Sequence, residues 1–347
     1  MSDDALPFVS IVVPCRNERR FITTLVESLV ANDYPAHRRE ILVVDGLSDD
    51  GTREVLRELT GRLPGVRVLD NAERVTPAAL NRGIEAARGE VIVRADAHAS
   101  YPPHYVRRLV EALEATGAGN VGGMKRFVPG APGPLAEAIA LALGHPFGSG
   151  GARYRRATDT IVAVDTVPFG CFPRRVFERV GLFDPELVRN QDDEFNARLI
   201  RAGERVLLVP GVEVEFFARS SLRTLWRMHY QYGLFKPLVV RKLGAVPTTR
   251  QLVPAAFLVV LGLAAGAVVV APRIGVPLLL ALLGVYALAS LAVTLATARR
   301  TRRSAAALMP LAFAAMHFGY AWGYLRGLPA VWSGAGADRL RDVPLTR

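Results

Sequence analysis

The sequence predicts an α/β protein in which a mostly parallel β-sheet, flanked by helices, is followed by amphipathic interfacial helices and about three transmembrane helices. Short apolar runs alternate with helical patterns in the first part of the chain, which is the rhythm of βαβ units. A basic segment without acidic residues follows, and three long uncharged runs occupy most of the remainder. These patterns indicate a water-exposed domain joined to a membrane anchor.

Four apolar runs predict the strands of the sheet. They are VSIVVP from Val9, ILVVD from Ile41, VRVLD from Val66 and EVIVRAD from Glu90. Residues 21–30 and 53–59 carry helical patterning between them. Because the runs are apolar throughout, we expect strands that are buried on both faces, as in a parallel sheet with right-handed crossovers. Ligands of such sheets bind beyond the carboxyl ends of the strands, so the polar residues that end the runs are the candidates for chemistry.

Length and composition exclude several classes of protein. With 347 residues, of which 50% are hydrophobic, the chain is too long and too apolar to be disordered or a small disulfide-stapled module. Its two cysteines, Cys15 and Cys171, lack metal-ligand spacing and indicate a reducing compartment. The sequence contains neither a Gly-x-Gly-x-x-Gly after the first strand nor a P-loop motif, so the common dinucleotide and P-loop phosphate cradles are excluded.

The excess of positive charge lies in the last third of the chain. Residues 1–215 carry 27 Lys+Arg and 30 Asp+Glu, whereas residues 216–347 carry 16 and 2. The long apolar runs lie in the same third. The charge therefore favours a membrane lipid surface as a partner and indicates no nucleic acid.

Three uncharged runs are long enough to cross ~30 Å of hydrocarbon as helices. They cover residues 251–272, 274–298 and 304–325. Buried helices of a soluble domain are the alternative, but three such runs rarely follow one another there. Four arginines form the loop after the second run: Arg299, Arg300, Arg302 and Arg303. Since short basic loops stay inside, we predict a multi-pass protein of the inner (plasma) membrane with its N-terminal domain in the cytoplasm.

Between the first domain and the apolar runs, basic residues are interleaved with Leu, Trp, Tyr and Phe, and no acidic residue occurs. Such a segment suits the surface of an anionic leaflet, although a helix packed on the soluble domain has the same pattern. The predicted organisation is a cytoplasmic domain over residues 1–218, an interfacial segment over 219–250, transmembrane helices within 251–326 and a tail over 327–347.

Carboxylates cluster where the predicted strands end. The first run ends at Pro14-Cys15-Arg16-Asn17-Glu18, the second at Asp45, and the fourth at Asp96-Ala97-His98. Like charges gathered at one sheet edge are costly unless a cation or hydrogen-bond donors compensate them. A nucleotide held by carboxylates and a divalent metal ion is consistent with this pattern.

The order of four motifs resembles glycosyltransferase family 2, and within it the membrane-anchored, succinoglycan-type glucosyltransferase subgroup. The motifs are VSIVVPCRNE, VVDGLSDDGT, ALNRGIEAARGEVIVRADAHASYPP and GCFPRRVFERVGLFDPELVRNQDDEFNARLIRAG, and the resemblance covers about residues 8–245. It implies a GT-A nucleotide-binding fold, a nucleotide-sugar donor that is UDP-linked, a divalent ion and inversion at the anomeric carbon.

The resemblance implies nucleotide contacts at several positions. They are Pro14, Asn17 and Glu18 along the nucleoside, Asp45 at the nucleobase edge, Asn81 near the nucleoside and sugar, and Asp96. A carboxylate that accepts from a base N–H or a ribose hydroxyl makes a charge-assisted bond without a metal. For residues 48–52 a turn and helix N-cap is the favoured interpretation, because capping explains those residue types.

The family's Asp-x-Asp metal motif reads Asp96-Ala97-His98 here, which keeps one carboxylate and replaces the other with an imidazole. The resemblance implies Mn²⁺ or Mg²⁺ at Asp96 and His98, and imidazole tilts the choice towards Mn²⁺. Alternatively, His98 makes only a hydrogen bond within the loop.

The catalytic base implied by the resemblance is Asp192, in Gln191-Asp192-Asp193-Glu194. A positioned carboxylate near a helix N-terminus stays ionised and can take a proton from an acceptor hydroxyl. The alternatives are that Asp192 is only the N-cap, or that Asp193 is the base. Three further arginines, Arg153, Arg155 and Arg156, suit either a phosphate-clamping loop or a solvated one.

The sequence therefore predicts a transferase that moves one sugar to a polyprenyl-(di)phosphate-linked acceptor for exopolysaccharide or cell-surface glycan synthesis. A processive synthase is less favoured, because Gln-x-x-Arg-Trp is absent after the predicted base. A catalytically silent scaffold of the same fold is the alternative from another class. The identity of the sugar and the linkage is set by loop geometry that local spacing does not encode.

Overall fold

A computed structural model describes residues 5–151 and 158–332, and these residues form two compact units. The first comprises the described residues up to Arg126 and those from 158 to Phe216, and the second comprises 127–151 and 217–332.

The first unit is built on four parallel strands, as the sequence predicts. They are β1 (Val9–Cys15), β2 (Arg39–Asp45), β3 (Val66–Asp70) and β4 (Val91–Arg94). In space they follow the order β3-β2-β1-β4, so β1 lies between β2 and β4. Cys15 is level with Asp45, and Val12 is level with Arg94. The carboxyl ends of β1, β2 and β4 thus meet at one sheet edge.

Beyond β4 the sheet becomes antiparallel. The added strands are β5 (Ala99–Ser100), β6 (Asn120–Val128), β7 (Val162–Ala163), β8 (Cys171–Pro173) and β9 (Val206–Phe217). β8 pairs antiparallel with both β4 and β6, and β9 pairs antiparallel with β5 and β7. The result is a nine-stranded mixed sheet. The predicted fold class is confirmed, with its parallel half limited to the first four strands.

Six helices of the first unit accompany this sheet. They are α1 (Ile22–Val30), α2 (Thr52–Arg62), α3 (Thr76–Ala86), α4 (Tyr105–Thr116), α7 (Arg175–Val180) and α8 (Gln191–Arg201). Two apolar cores explain the continuous apolar strands. Ile11 and Val13 of β1 enter a core with Leu109 of α4, whereas Val12 enters another with Phe195 of α8. Successive residues of a strand point to opposite faces, so a sheet with two buried faces needs apolar residues at every position.

The second unit is helical. Its helices are α5 (Pro134–Gly144), α6 (Pro146–Ser149), α9 (Leu222–Leu243), α10 (Val253–Val270), α11 (Pro272–Thr301) and α12 (Met309–Trp332). Among the described residues, three helical stretches are long and apolar enough to cross a membrane: Thr249–Val270, Pro272–Thr301 and Ser304–Pro329. This agrees with the three apolar runs of the sequence.

Helix α9 covers most of the basic segment 219–250 and packs closely along α12. A Cβ added at Gly323 of α12 would overlap the carbonyl oxygen of Tyr230, and one added at Gly233 of α9 would overlap that of Tyr320. The exposed basic residues of α9 lie near its ends, while residues 233–239 are buried. An interfacial role for this segment stays a prediction, and only the ends of α9 offer charge to a surface.

We expect Gly323→Ala to destabilise the second unit. The added methyl group must displace the backbone of α9, and overpacking of this kind costs about 1–3 kcal/mol. In detergent, the thermal unfolding temperature should fall by roughly 2–10 °C. The matched control is Gly284→Ala on α11, where a Cβ meets nothing within 4 Å and alanine is the better helix former. Equal unfolding temperatures for the two variants would contradict the close α9–α12 contact.

Candidate active site

The ends of β1, β2 and β4 bring most of the predicted site residues together. Pro14 lies in β1 opposite Val44, and the Gly46 N–H donates to the Cys15 carbonyl at 2.7 Å. Asn17 and Glu18 follow β1 directly, and Asp96 follows β4. Parallel pairing of β1 with both neighbours therefore sets these loops side by side.

The loops after β1 and β2 are joined by hydrogen bonds. Asn17 has a positive φ of 54°, and its N–H donates to Ser48 Oγ at 2.8 Å. Its side-chain amide donates to Asp49 Oδ1 at 2.6 Å and accepts from the Asp49 N–H at 3.0 Å. Asp50 accepts from the Thr52 N–H at 3.0 Å, at the start of α2. Residues 48–52 thus form the predicted turn and the start of α2, but the N-cap is Gly51, with a φ of 94°, and no side chain caps the helix.

Asp45 is fully buried, and donors from the following turn and from the start of α2 satisfy its carboxylate. The Ser48 N–H lies 3.0 Å from Oδ2, the Ser48 hydroxyl donates to Oδ1, and Arg53 Nη1 lies 3.5 Å from Oδ2. The observed bonds hold the turn together. Recognition of a nucleobase by Asp45 stays a prediction.

His98 and Glu18 connect the loops after β4 and β1. His98 Nδ1 lies 3.2 Å from Glu18 Oε1, and Phe216 packs against the imidazole edge at a ring-centroid distance of 4.4 Å. The alternative prediction for His98 is a hydrogen bond within its own loop, whereas the observed partner of Nδ1 is Glu18, in the loop after β1. Within the described residues no hydrogen bond reaches Nε2, and binding of a metal ion by this nitrogen stays a prediction.

Arg94 joins the two carboxylates with the most important predicted roles. Its guanidinium donates to Asp96 Oδ1 through Nε at 3.2 Å and Nη2 at 3.0 Å, and its Nη1 lies 3.4 Å from Asp192 Oδ2. The Arg94 side chain is only 9% exposed, whereas that of Asp192 is 38% exposed. Asp96 is thus held at the base of the site, and Asp192 extends towards solvent.

The charges around Asp96 keep it ionised. Burial raises the pKa of this carboxyl, but the charges of Arg94 and Lys125 and the Arg94 hydrogen bonds outweigh burial and hold it below its usual value. Burial likewise lowers the pKa of Arg94, while Asp96 and Asp192 raise it above its usual value. Lys125 Nζ lies 3.6 Å from the centroid of Phe216, a cation–π contact that fixes the ammonium group nearby.

Asp192 lies in the first turn of α8. The helix begins at Gln191, and Asn190, with a φ of 62°, occupies the N-cap. Asp192 is therefore not the N-cap of this helix. The expected ion pair between Glu194 and Arg198 is present, with Arg198 Nη2 3.0 Å from Glu194 Oε2.

Asn81 contributes to packing through its amide. Its Nδ2 donates to the Phe183 carbonyl at 2.8 Å, and its Oδ1 accepts from the Phe183 N–H at 3.0 Å. These bonds tie α3 to the loop before α8. Proximity of Asn81 to a nucleoside stays a prediction. Arg153, Arg155 and Arg156 lie outside the described residues.

The donors at the sheet edge fit a divalent ion that is shared with a ligand. No group of three or more His, Cys, Asp and Glu side chains able to hold a metal occurs in the described part of the chain. Asp96 Oδ2, however, receives no hydrogen bond from any described residue, and Oδ1 alone takes the Arg94 donors. Mg²⁺ is commonly held by one or two carboxylates together with substrate phosphates, and imidazole suits Mn²⁺. Asp96 with His98 matches that donor set.

Sequence reasoning missed three residues of this site. Arg94 is the most central, Lys125 lies on β6, and the Tyr101 hydroxyl accepts from the Asp96 N–H at 2.8 Å. The signal for Arg94 was present, because a charged residue at the end of the apolar run EVIVRAD needs a partner once it is buried.

Comparison with known proteins agrees with this architecture. The profile of "Glycosyl transferase family 2" matches residues 10–181. The succinoglycan biosynthesis protein ExoA of Rhizobium meliloti is 34% identical over 260 residues, which cover 74% of this chain and 78% of that protein. The chain belongs to glycosyltransferase family 2, and it is a glycosyltransferase.

Two further proteins are similar to this chain, one in sequence and one in fold. The dolichyl N-acetyl-alpha-D-glucosaminyl phosphate 3-beta-D-2,3-diacetamido-2,3-dideoxy-beta-D-glucuronosyltransferase of Methanococcus voltae is 29% identical over 68% of this chain and 74% of its own length. Among solved structures, the mannosyltransferase PcManGT from Pyrobaculum calidifontis, in complex with GDP-Man and Mn²⁺, superposes with a TM-score of 0.57 at 21% identity. The superposition covers 92% of this chain and 88% of that one and shows a shared fold.

We expect Arg94→Met to destabilise the first unit by about 3 kcal/mol. Loss of the guanidinium leaves the Asp96 carboxylate at the base of the site without a compensating positive charge. Pulse proteolysis across a urea series measures this change in the free energy of unfolding. The control is Arg57→Met, whose ion pair with Glu54 is largely exposed and should contribute less than about 0.5 kcal/mol. Asp96→Asn combined with Arg94→Met should recover part of the loss, and a loss no larger than that of the control would contradict the bridging role.

Proposed function

We propose that this glycosyltransferase moves one sugar from a UDP-linked nucleotide-sugar to a polyprenyl-(di)phosphate-linked acceptor, with inversion at the anomeric carbon. The observation that carries the proposal is the bridge from Asp96 through Arg94 to Asp192, which sets a buried carboxylate and a solvent-reaching carboxylate side by side. The named dolichyl phosphate acceptor of the Methanococcus voltae relative supports the acceptor class.

Asp192 acts as the general base in this proposal. Its carboxylate takes the proton from the acceptor hydroxyl as the hydroxyl oxygen attacks the anomeric carbon, opposite the leaving nucleoside diphosphate. Two features support this role: the 38% exposed side chain can reach an incoming hydroxyl, and the Arg94 contact fixes its direction. Arg94 is a positioning residue, because it acts through the two carboxylates.

Asp96, with His98, would hold the divalent ion. When bound, such an ion stabilises the negative charge that develops on the departing diphosphate. Asp96 is suited to this task because neighbouring cations keep it ionised in spite of its burial. Glu18 orients the imidazole through its contact with Nδ1, and Nε2 on the other side of the ring would then bind the ion.

The membrane-anchoring features of the second unit support a lipid-linked acceptor. Helices α10 and α11 expose apolar side chains such as Leu263, Val270 and Leu280, which are 64–87% exposed, as lipid-facing residues are. The basic loop at residues 299–303 supports a cytoplasmic position for the catalytic unit at the plasma membrane. Nucleotide-sugar and lipid-linked acceptor would then meet at the inner leaflet.

Asp192→Asn should lower the rate of sugar transfer by about 10²–10⁴-fold, because the amide cannot accept the hydroxyl proton. Nucleotide affinity should stay near that of the unchanged protein. Transfer from radiolabelled UDP-sugars to native lipid extract, with product mass analysis, measures the rate, and Asp193→Asn is the matched control. If Asp192→Asn retains full turnover while Asp193→Asn does not, the base is assigned to the wrong carboxylate.

Asp96→Ala should weaken Mn²⁺-dependent binding of UDP by at least about tenfold, which corresponds to 1.4 kcal/mol. Calorimetric titrations with UDP in Mn²⁺ and in EDTA separate the metal-dependent part. Asp33→Ala changes a partly exposed carboxylate on another loop and serves as the control. Unchanged affinity in Mn²⁺ would place the ion away from Asp96.

A further inference from the structure

The pairing of α9 with α12 bears on how the second unit meets the membrane. The two helices run parallel, because their contacts advance together along both chains. Trp226 faces Gly319, Tyr230 faces Gly323, and Leu234 faces Gly327. The Arg241 guanidinium then donates to the Val331 carbonyl at 2.6 Å. From Trp226 to Arg241 the contact extends over about 22 Å of helix.

The two helices therefore lie at the same depth, whatever that depth is. Backbone contacts as close as those of Gly233 and Gly323 leave no room for lipid between them. If α12 crosses the hydrocarbon core, α9 must cross it as well. Helix α9 would then carry Arg227, Lys236 and Arg241 through the membrane.

Such a crossing is unfavourable. An arginine or lysine at the centre of a spanning helix costs roughly 2.5–3.5 kcal/mol by insertion measurements. Arg227 is exposed on the surface of α9 and lies beside Trp226, which faces Gly319 near the middle of α12, so the protein does not shield its charge. Helices α10 and α11 differ in this respect, since residues 251–272 and 274–298 contain no charge.

The exposed face of α12 also differs from that of the other two long helices. It is formed by Leu311, Trp322, Arg326 and Pro329, whose spacing places them on one side of the helix. Tryptophan and arginine are side chains of the membrane–water interface. Half of an apolar 18-residue window in the third stretch is buried within the protein, against 17% and 11% for the windows of the first and second stretches.

We propose that α12 does not cross the bilayer but lies with α9 at the membrane surface, and that its Trp322–Arg326 face contacts lipid headgroups. The transmembrane anchor is then the α10–α11 hairpin alone. The end of α12 stays on the side of the basic loop at residues 299–303, which also agrees with the positive charge of Arg326. The proposal depends on the proposed function only for the assignment of that side to the cytoplasm.

Single cysteines in the full-length chain test this topology. Arg273→Cys reports the α10–α11 turn, Arg300→Cys the basic loop, and Arg326→Cys the end of α12, and all three positions are exposed. The native cysteines, Cys15 and Cys171, are buried, so the unchanged protein gives the background. A membrane-impermeant maleimide is applied to right-side-out spheroplasts and to inside-out vesicles.

We expect Arg326→Cys to react from the same side as Arg300→Cys, and Arg273→Cys to react from the other side. Reaction of Arg326→Cys together with Arg273→Cys, or no reaction from the side of Arg300→Cys, would overturn the proposal. If Arg273→Cys and Arg300→Cys exchange sides, the cytoplasmic orientation under the proposed function is wrong. Whether position 326 reacts from the same side as position 300 or as position 273 still decides whether α12 crosses the membrane.

Discussion

The geometry of the site depends on the contact of one buried guanidinium with two carboxylates. Asp96 follows a central strand and Asp192 lies in the first turn of a helix nearly a hundred residues later, and their charges repel unless a cation lies between them. The planar guanidinium of Arg94 donates to one carboxylate through two nitrogens and faces the other with a third. A lysine offers no such fork. The position of the proposed base is thus coupled to the strand that carries the proposed metal ligand.

Much of the fold could be predicted from the sequence because the parallel strands are buried on both faces. Their apolar runs start within two residues of the observed strands β1 to β4, and the predicted helix start after the turn at residues 48–51 is observed at Thr52, although its N-cap is Gly51. The antiparallel half could not be predicted in the same way. β5 and β7 have two residues each, too few to show a period, and Pro210 and Gly211 interrupt the apolar pattern of β9.

The site was only partly accessible to sequence reasoning. Asp96, His98 and Glu18 follow strands that parallel pairing places side by side, so their proximity follows from the predicted topology. The contact of Asp192 with Arg94 joins residues 98 positions apart, and Asn81 meets Phe183 across 102. No local spacing encodes such pairs. Helix α9 gives a similar case, because its basic pattern suits a surface, while most of the glycines that let the two helices approach, Gly319, Gly323 and Gly327, lie on α12, far along the chain.

The most direct measurement is the position of Mn²⁺ and the donor sugar in an experimental structure of the complete protein with Mn²⁺ and a non-hydrolysable UDP-sugar. We expect the ion to lie beside Asp96 and the anomeric carbon to face Asp192, with Arg94 still in contact with both carboxylates. An ion bound away from Asp96, or a sugar whose anomeric carbon faces away from Asp192, would contradict the pairing of these two carboxylates in one reaction.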